Sequence, residues 1–170
     1  MLPAVTPSQA AEPALAIPGG SLRVTQRGAA TVVAVTQHAR TRRTVLLTDD
    51  GIYAGSLDRT RVVGAAPGRF VILLSEYASR PNGGSHQCGA GTEGVLRVIS
   101  LRPAPQQAFH VRTESCWQNI EEGGISWDGK ANRLTVERTI SNEDGASRLH
   151  VIYGITPEGR VTEVRTDHLS

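Results

Sequence analysis

Apolar residues recur at every second position through most of this chain, and no stretch sustains the 3.6-residue spacing of an amphipathic helix. In SLRVTQR, Leu22 and Val24 alternate with polar neighbours, and TVVAVTQ follows after Gly28. RTVLLTDDGIYAGSL reads as two strands around an Asp49-Asp50-Gly51 turn, because Asp-Gly between apolar runs favours a hairpin. RFVILLSEYAS is apolar without interruption from Phe70 to Leu74, as a central strand covered on both faces should be. GVLRVISL is similar, with Val95, Ile99 and Leu101 in one phase and Leu96 and Val98 in the other. AFHVRTESCW sets Phe109 and Val111 against His110, Arg112 and Glu114. NRLTVERTI points Leu134, Val136 and Ile140 inward, and RLHVIYGI puts Leu149, Val151, Tyr153 and Ile155 on one face. VTEVRTD is weakly apolar and predicts an edge strand.

Short strands joined by turns pair antiparallel in sequence order. The pattern therefore predicts an all-β fold, a single antiparallel β-sandwich or barrel-like domain with hairpin connections over residues 20–170. A small four-bladed propeller-like arrangement is the alternative, since LLTDDGIYAGSL and ISWDGKANRLTV both look like paired strands of a blade. Residues 1–19 are rich in proline and alanine without periodic apolar positions, which predicts a disordered N-terminal segment.

Composition narrows the setting. A formal charge of +2 on 170 residues, with few aromatics, lacks the dense basic stripe of a nucleic-acid binder. No apolar run reaches the roughly 20 residues of a membrane-spanning helix. Lys130 is the sole lysine, so the cations are nearly all arginines, suited to forked ion pairs with carboxylates. Cys88 and Cys116 lie in or beside loops and are expected to form a disulfide, which implies an oxidising compartment. The N-terminal stretch has neither a basic region nor an apolar core of signal-peptide type. The expected location is periplasmic or secreted, this stretch following a removed signal or a lipid-anchored cysteine. Arg160, Glu163 and Arg165 on the last strand protect an edge, so a monomer or weak dimer is expected.

The glycine-rich stretch SRPNGGSHQCGAGTEG, positions 79–94, lacks the G-K-[ST] ending and following helix of a phosphate loop. His86, Cys88 and Cys116 do not have the paired short spacings of a zinc site, and a disulfide would consume both sulfurs. No metal and no cofactor are expected. Cys88 in a disulfide is also no nucleophile for His86 to activate. Glu93, Glu114, Glu121, Glu122 and Asp128 read as dispersed surface acids, although two of them could converge as a glycosidase-type pair. His110 and His150 read as outward-facing, and Trp117 and Trp127 as structural.

Two segments remain as binding surfaces. Asn82, Ser85, His86 and Gln87 project from a loop tethered at Cys88, and loops held on a scaffold are where binding concentrates. QHARTRR gathers His38, Arg40, Arg42 and Arg43 in what reads as one connection, where Arg40 and Arg42 could grip an anionic partner. Together these predict a non-enzymatic exported protein that binds another protein, such as an inhibitor or immunity protein against a secreted toxin or cell-wall hydrolase. The alternative is a ligand- or carbohydrate-binding accessory module of the cell envelope, against which the scarcity of aromatics argues. A hydrolase is the third reading.

Overall fold

A computed structural model describes residues 13–27, 30–46, 54–79, 88 and 91–169. Among them the chain is built from β-strands and holds no α-helix, as the period of two requires. The strands are β1 (Leu15–Ile17), β2 (Gly20–Arg27), β3 (Ala30–Gln37), β4 (Arg40–Leu46), β5 (Ala54–Ala66), β6 (Phe70–Ser79), β7 (Thr92–Ser100), β8 (Gln106–Ser115), β9 (Ile120–Asp128), β10 (Arg133–Asn142), β11 (Gly145–Ile155) and β12 (Val161–Leu169). They form two antiparallel meanders, β1 to β4 in one sheet and β5 to β12 in the other. Neither sheet closes, so the sandwich form of the expectation holds and the barrel form does not.

The larger sheet folds over on itself. β8 and β9 share a single pair, Ser115↔Ile120, whereas their neighbours are joined by long ladders. β9 begins beside β8 and ends over β5, where Trp127 lies against Gly64. Three four-stranded layers result, with β5–β8 in the middle. The alternation in β6 shows it directly. Val71 and Leu73 join a core with Leu22, Val24, Val33, Val35 and Leu46 of the first layer. Phe70, Ile72 and Leu74 join a second core with Leu134, Val136, Val151, Tyr153 and Ile155 of the third. Phe70–Leu74 is thus covered on both faces, and β7 divides likewise, Ile99 to one core and Leu96 and Val98 to the other. The four-stranded meander is a propeller-blade unit, but the described residues form three in a linear stack instead of four around an axis.

Two local expectations differ from the structure. Residues 1–12 lie outside the described residues, but the end of the segment expected to be disordered forms β1, paired Leu15↔Leu22 to Ile17↔Gly20 around a turn at Gly19 (φ 79°). Ile17 is buried in the first core, and that burial recovers the ordering entropy of a strand too short to show a period. The strands on either side of Asp49-Asp50-Gly51 do not pair. β4 is the edge of one sheet and β5 the edge of the other, while Leu46 and Leu57 pack into the same interlayer core. Residues 47–53 lie outside the described residues; the strands they join belong to different layers, β4 packed on β8 and β5 on β1 and β2.

The disulfide Cys88–Cys116 is formed, with Cα atoms 5.6 Å apart. It closes a sequence separation of 28 residues, which by chain entropy restricts the unfolded state by about 3.5 kcal/mol. Next to it, Gly91 accepts from Ser79 N–H (2.9 Å) and Cys116 N–H donates to the Thr92 carbonyl (3.3 Å).

Candidate functional site

Four chain reversals or exits meet at the end of the stack opposite the disulfide. β3 and β4 are joined by a two-residue turn, His38-Ala39, both at positive φ (49° and 60°), between the paired Gln37 and Arg40. Both left-handed residues carry a Cβ, so this turn is costlier than the Asn-Gly form such hairpins favour. Because the turn takes only two residues, Arg40, Arg42 and Arg43 lie on β4 itself and not in a connection. Leu46 is buried toward the middle layer, so Arg40, Arg42 and Thr44 share its face. Arg42 Nη1 donates to the Pro103 carbonyl at 2.7 Å, bridging the first layer to the exit of β7.

The middle layer contributes Arg69, from the β5–β6 turn, and Arg102, just beyond β7. Their backbone is fixed by Leu101 N–H donating to the Arg69 carbonyl (2.8 Å). The buried Ser100 hydroxyl reaches the carbonyls of Arg102 (3.1 Å) and Glu158 (3.0 Å), donating to one at a time. Gly159 (φ 84°) lets the β11–β12 turn lie on Phe70 and Ser100, which brings Glu158 to the same place. Arg42, Arg69, Arg102, Pro103, Pro157 and Glu158 line an open cleft of about 790 Å³. A second cleft of about 710 Å³, lined by Gln37, His38, Arg40, Thr41 and Arg42, adjoins it through Arg42. Among the described residues no carboxylate lies within ion-pair distance of Arg40, Arg42, Arg43, Arg69 or Arg102. Glu158 is the acid at the rim; hydrogen bonding from Thr156 and its own backbone, then the charges of Arg160 and Arg69, hold its carboxyl below the usual range. Three converging guanidinium groups facing one carboxylate leave a net positive hollow, and forked donors of this kind match carboxylate and phosphate oxygens.

The other residues singled out in the sequence are distributed differently. Asn82, Ser85, His86 and Gln87 lie outside the described residues. Glu93 is no surface acid: it is 1% exposed, accepts from Ser79 Oγ (2.8 Å) and pairs with Arg112 (3.5 Å) between the first and middle layers. On the same strand Arg97 is fully buried, its guanidinium 5.6 Å over the Tyr77 ring, and Tyr77 Oη bonds the Thr31 hydroxyl across the layers. Glu114 and Glu122 do come near each other, joined by Glu76, but Arg59 holds Glu76 and Arg61 holds Glu122. Desolvation first, then the charges of Glu122, Glu76 and Glu93, raise the Glu114 carboxyl above its ordinary value. Glu121 is exposed on β9. Asp128 accepts from the N–H groups of Lys130 and Ala131 and so shapes the β9–β10 turn.

Neither histidine is merely solvated. His110 is half-buried with Nδ1 2.9 Å from Gln107 Nε2, and His150 sits between Asp167 (3.6 Å) and Glu137 (4.0 Å) in a cross-strand row. Trp127 packs edge-on against Phe70, centroids 5.6 Å apart, as a core residue. Trp117 lines a hollow with Cys88, Cys116 and Asn119. Among the described residues no group of His, Cys, Asp and Glu is arranged to hold a metal. Sequence reasoning found Arg40 and Arg42 but not Arg69 and Arg102, which arrive from separate turns with no spacing rule to link them. No family model, no curated protein and no solved structure matches this chain.

Proposed function

We propose that this chain is a non-catalytic, exported binding module that takes an acidic segment of a partner protein on its arginine-lined end. The observation that carries the reading is the convergence of Arg42, Arg69 and Arg102 from two layers on one cleft, with Glu158 the acid beside them. Their backbone is fixed by the turns, and the planar guanidinium fork matches a carboxylate. The Cys88–Cys116 disulfide supports an oxidising compartment. A rigid, stapled sandwich also suits an inhibitor or immunity protein that neutralises a secreted toxin or cell-wall hydrolase, the specific form of this reading. The test is fluorescence anisotropy with a labelled oligoglutamate peptide at low and moderate salt. Arg42→Gln/Arg69→Gln/Arg102→Gln should lose about 1–3 kcal/mol of affinity per lost charge-assisted contact, and Glu158→Gln should bind more tightly than the parent. Equal binding by the parent and the triple variant would sink the proposal.

A further inference from the structure

We infer that the acidic segment binds as an added β-strand on the free edge of β4. The inference rests on the proposed function and specifies its geometry. β4 is the last strand of the four-stranded sheet, and among the described residues nothing pairs with its outer side. Alternate residues of Arg40–Leu46 therefore direct their N–H and C=O groups away from β3. Such an edge is a template for an extended peptide, whose backbone supplies affinity and whose alternate side chains supply specificity.

The two faces of β4 state what those side chains should be. Arg40 and Arg42 face the middle layer and open onto the two joined clefts, where Arg69 and Arg102 also lie. A strand laid beside β4 brings every second side chain to within about 4.5–5.5 Å, Cβ to Cβ, of that row. Those positions suit glutamate or aspartate. Positions of the other phase fall beside Thr41, Arg43 and Val45 on the outward face, where Val45 is 56% exposed and cross-strand from Val32. These suit an apolar β-branched residue. The segment recognised is thus extended, with acidic and apolar residues alternating. The spacing of Arg40 and Arg42, two residues along one strand, equals the repeat of the segment itself.

Charged edge strands also serve to repel pairing, and the test separates that role from recruitment. The probe is a labelled octapeptide of alternating glutamate and valine, titrated into the full chain by anisotropy. Two derivatives carry N-methyl groups on alternate amides, one in each phase. Strand addition predicts that one derivative loses about 30-fold or more in affinity, because its methyl groups face β4. The other, methylated on the outer edge, should bind within about 3-fold of the parent. A same-composition peptide with its glutamates in one block should bind about 10-fold more weakly. If both methylated peptides bind like the parent, or both lose equally, strand addition is wrong while binding of acidic segments stands. If the alternating peptide binds the parent and the triple arginine variant alike, both fail. Arg165→Gln, on the distant β12, serves as the control for losing a positive charge away from the cleft and should leave every value unchanged.

Discussion

Removing the charge of Glu93 should destabilise this protein far more than any surface acid would. Glu93 is 1% exposed and Arg112 9% exposed, with Oε2 3.5 Å from Nη1, while Oε1 accepts the Ser79 hydroxyl at 2.8 Å. Glu93→Gln keeps the shape and leaves an amide oxygen for Ser79, so the loss is confined to the charge. Breaking a buried pair from one side costs about 3–5 kcal/mol, because a buried charge loses a counterion that offset its desolvation. With the Ser79 bond retained, the lower figure of about 3 kcal/mol applies. For a domain of this size that corresponds to a fall in Tm of roughly 6–12 °C. Urea unfolding followed by far-ultraviolet circular dichroism should show a lower midpoint at unchanged slope. The double variant Glu93→Gln/Arg112→Gln should lose less than the two single losses combined, by about 1.5 kcal/mol or more. A loss under about 1 kcal/mol for Glu93→Gln, the value of an exposed pair, would refute the reasoning, as would additive losses in the double variant.

Gly64→Ala should destabilise by about 1–3 kcal/mol, since a Cβ there collides with the Trp127 indole and must displace a packed aromatic; a thermal melt within error of the parent would contradict the close packing of β5 and β9. Glu114→Gln should have the opposite sign. Burial and the neighbouring Glu122, Glu76 and Glu93 raise its folded-state pKa, so the folded protein holds that proton more tightly than the unfolded chain. Stability contributed by the protonated carboxyl is lost as pH rises from the ordinary carboxylate value through the raised one. The glutamine variant should therefore melt higher than the parent at about pH 7, and the gap should close as pH falls toward about 4; a gap independent of pH would show that charge is not the cause.

The period-two alternation made the strands legible, and the unbroken apolar run at 70–74 and the two-phase apolar pattern of 95–101 marked strands with two covered faces. Which strands share a sheet was not legible. A turn dipeptide such as Asp50-Gly51 favours a hairpin, but β4 and β5 belong to different layers, β4 packed on β8 and β5 on β1 and β2, which burial across the layers decides and a turn does not. β1 escaped notice because three residues display no period. The interior position of Arg97 did have a signal, since it lies in phase with Val95 and Ile99 on a strand whose other phase is also apolar. Charge argued for the surface there; its stacking on Tyr77 and full burial show that strand phase outweighed it. The arginine cleft combines Arg40 and Arg42, legible as a cationic group but read as a connection and not as part of β4, with Arg69 and Arg102, whose approach depends on the order of stacking.

That order ties binding to stability. Arg40 and Arg42 belong to the first layer, Arg69 and Arg102 to the middle one, and the layers are held together by the core around Leu22, Val33, Val71 and Leu73 and by the Tyr77–Thr31 bond. The full cleft exists only while the two layers are docked, so an acidic ligand that spans them binds the folded protein and not the unfolded chain. At a free concentration about 100 times its dissociation constant it should stabilise by about 2.7 kcal/mol, raising Tm by roughly 5–11 °C for a domain of this size. Tyr77→Phe, which removes an interlayer bond away from the cleft arginines at a cost of about 1 kcal/mol, should lower Tm in both free and saturated protein while leaving the increment between them intact. An acidic peptide that binds with measurable affinity yet leaves Tm unmoved would have to bind folded and unfolded chains alike, and its arginine contacts would then owe nothing to the docked layers.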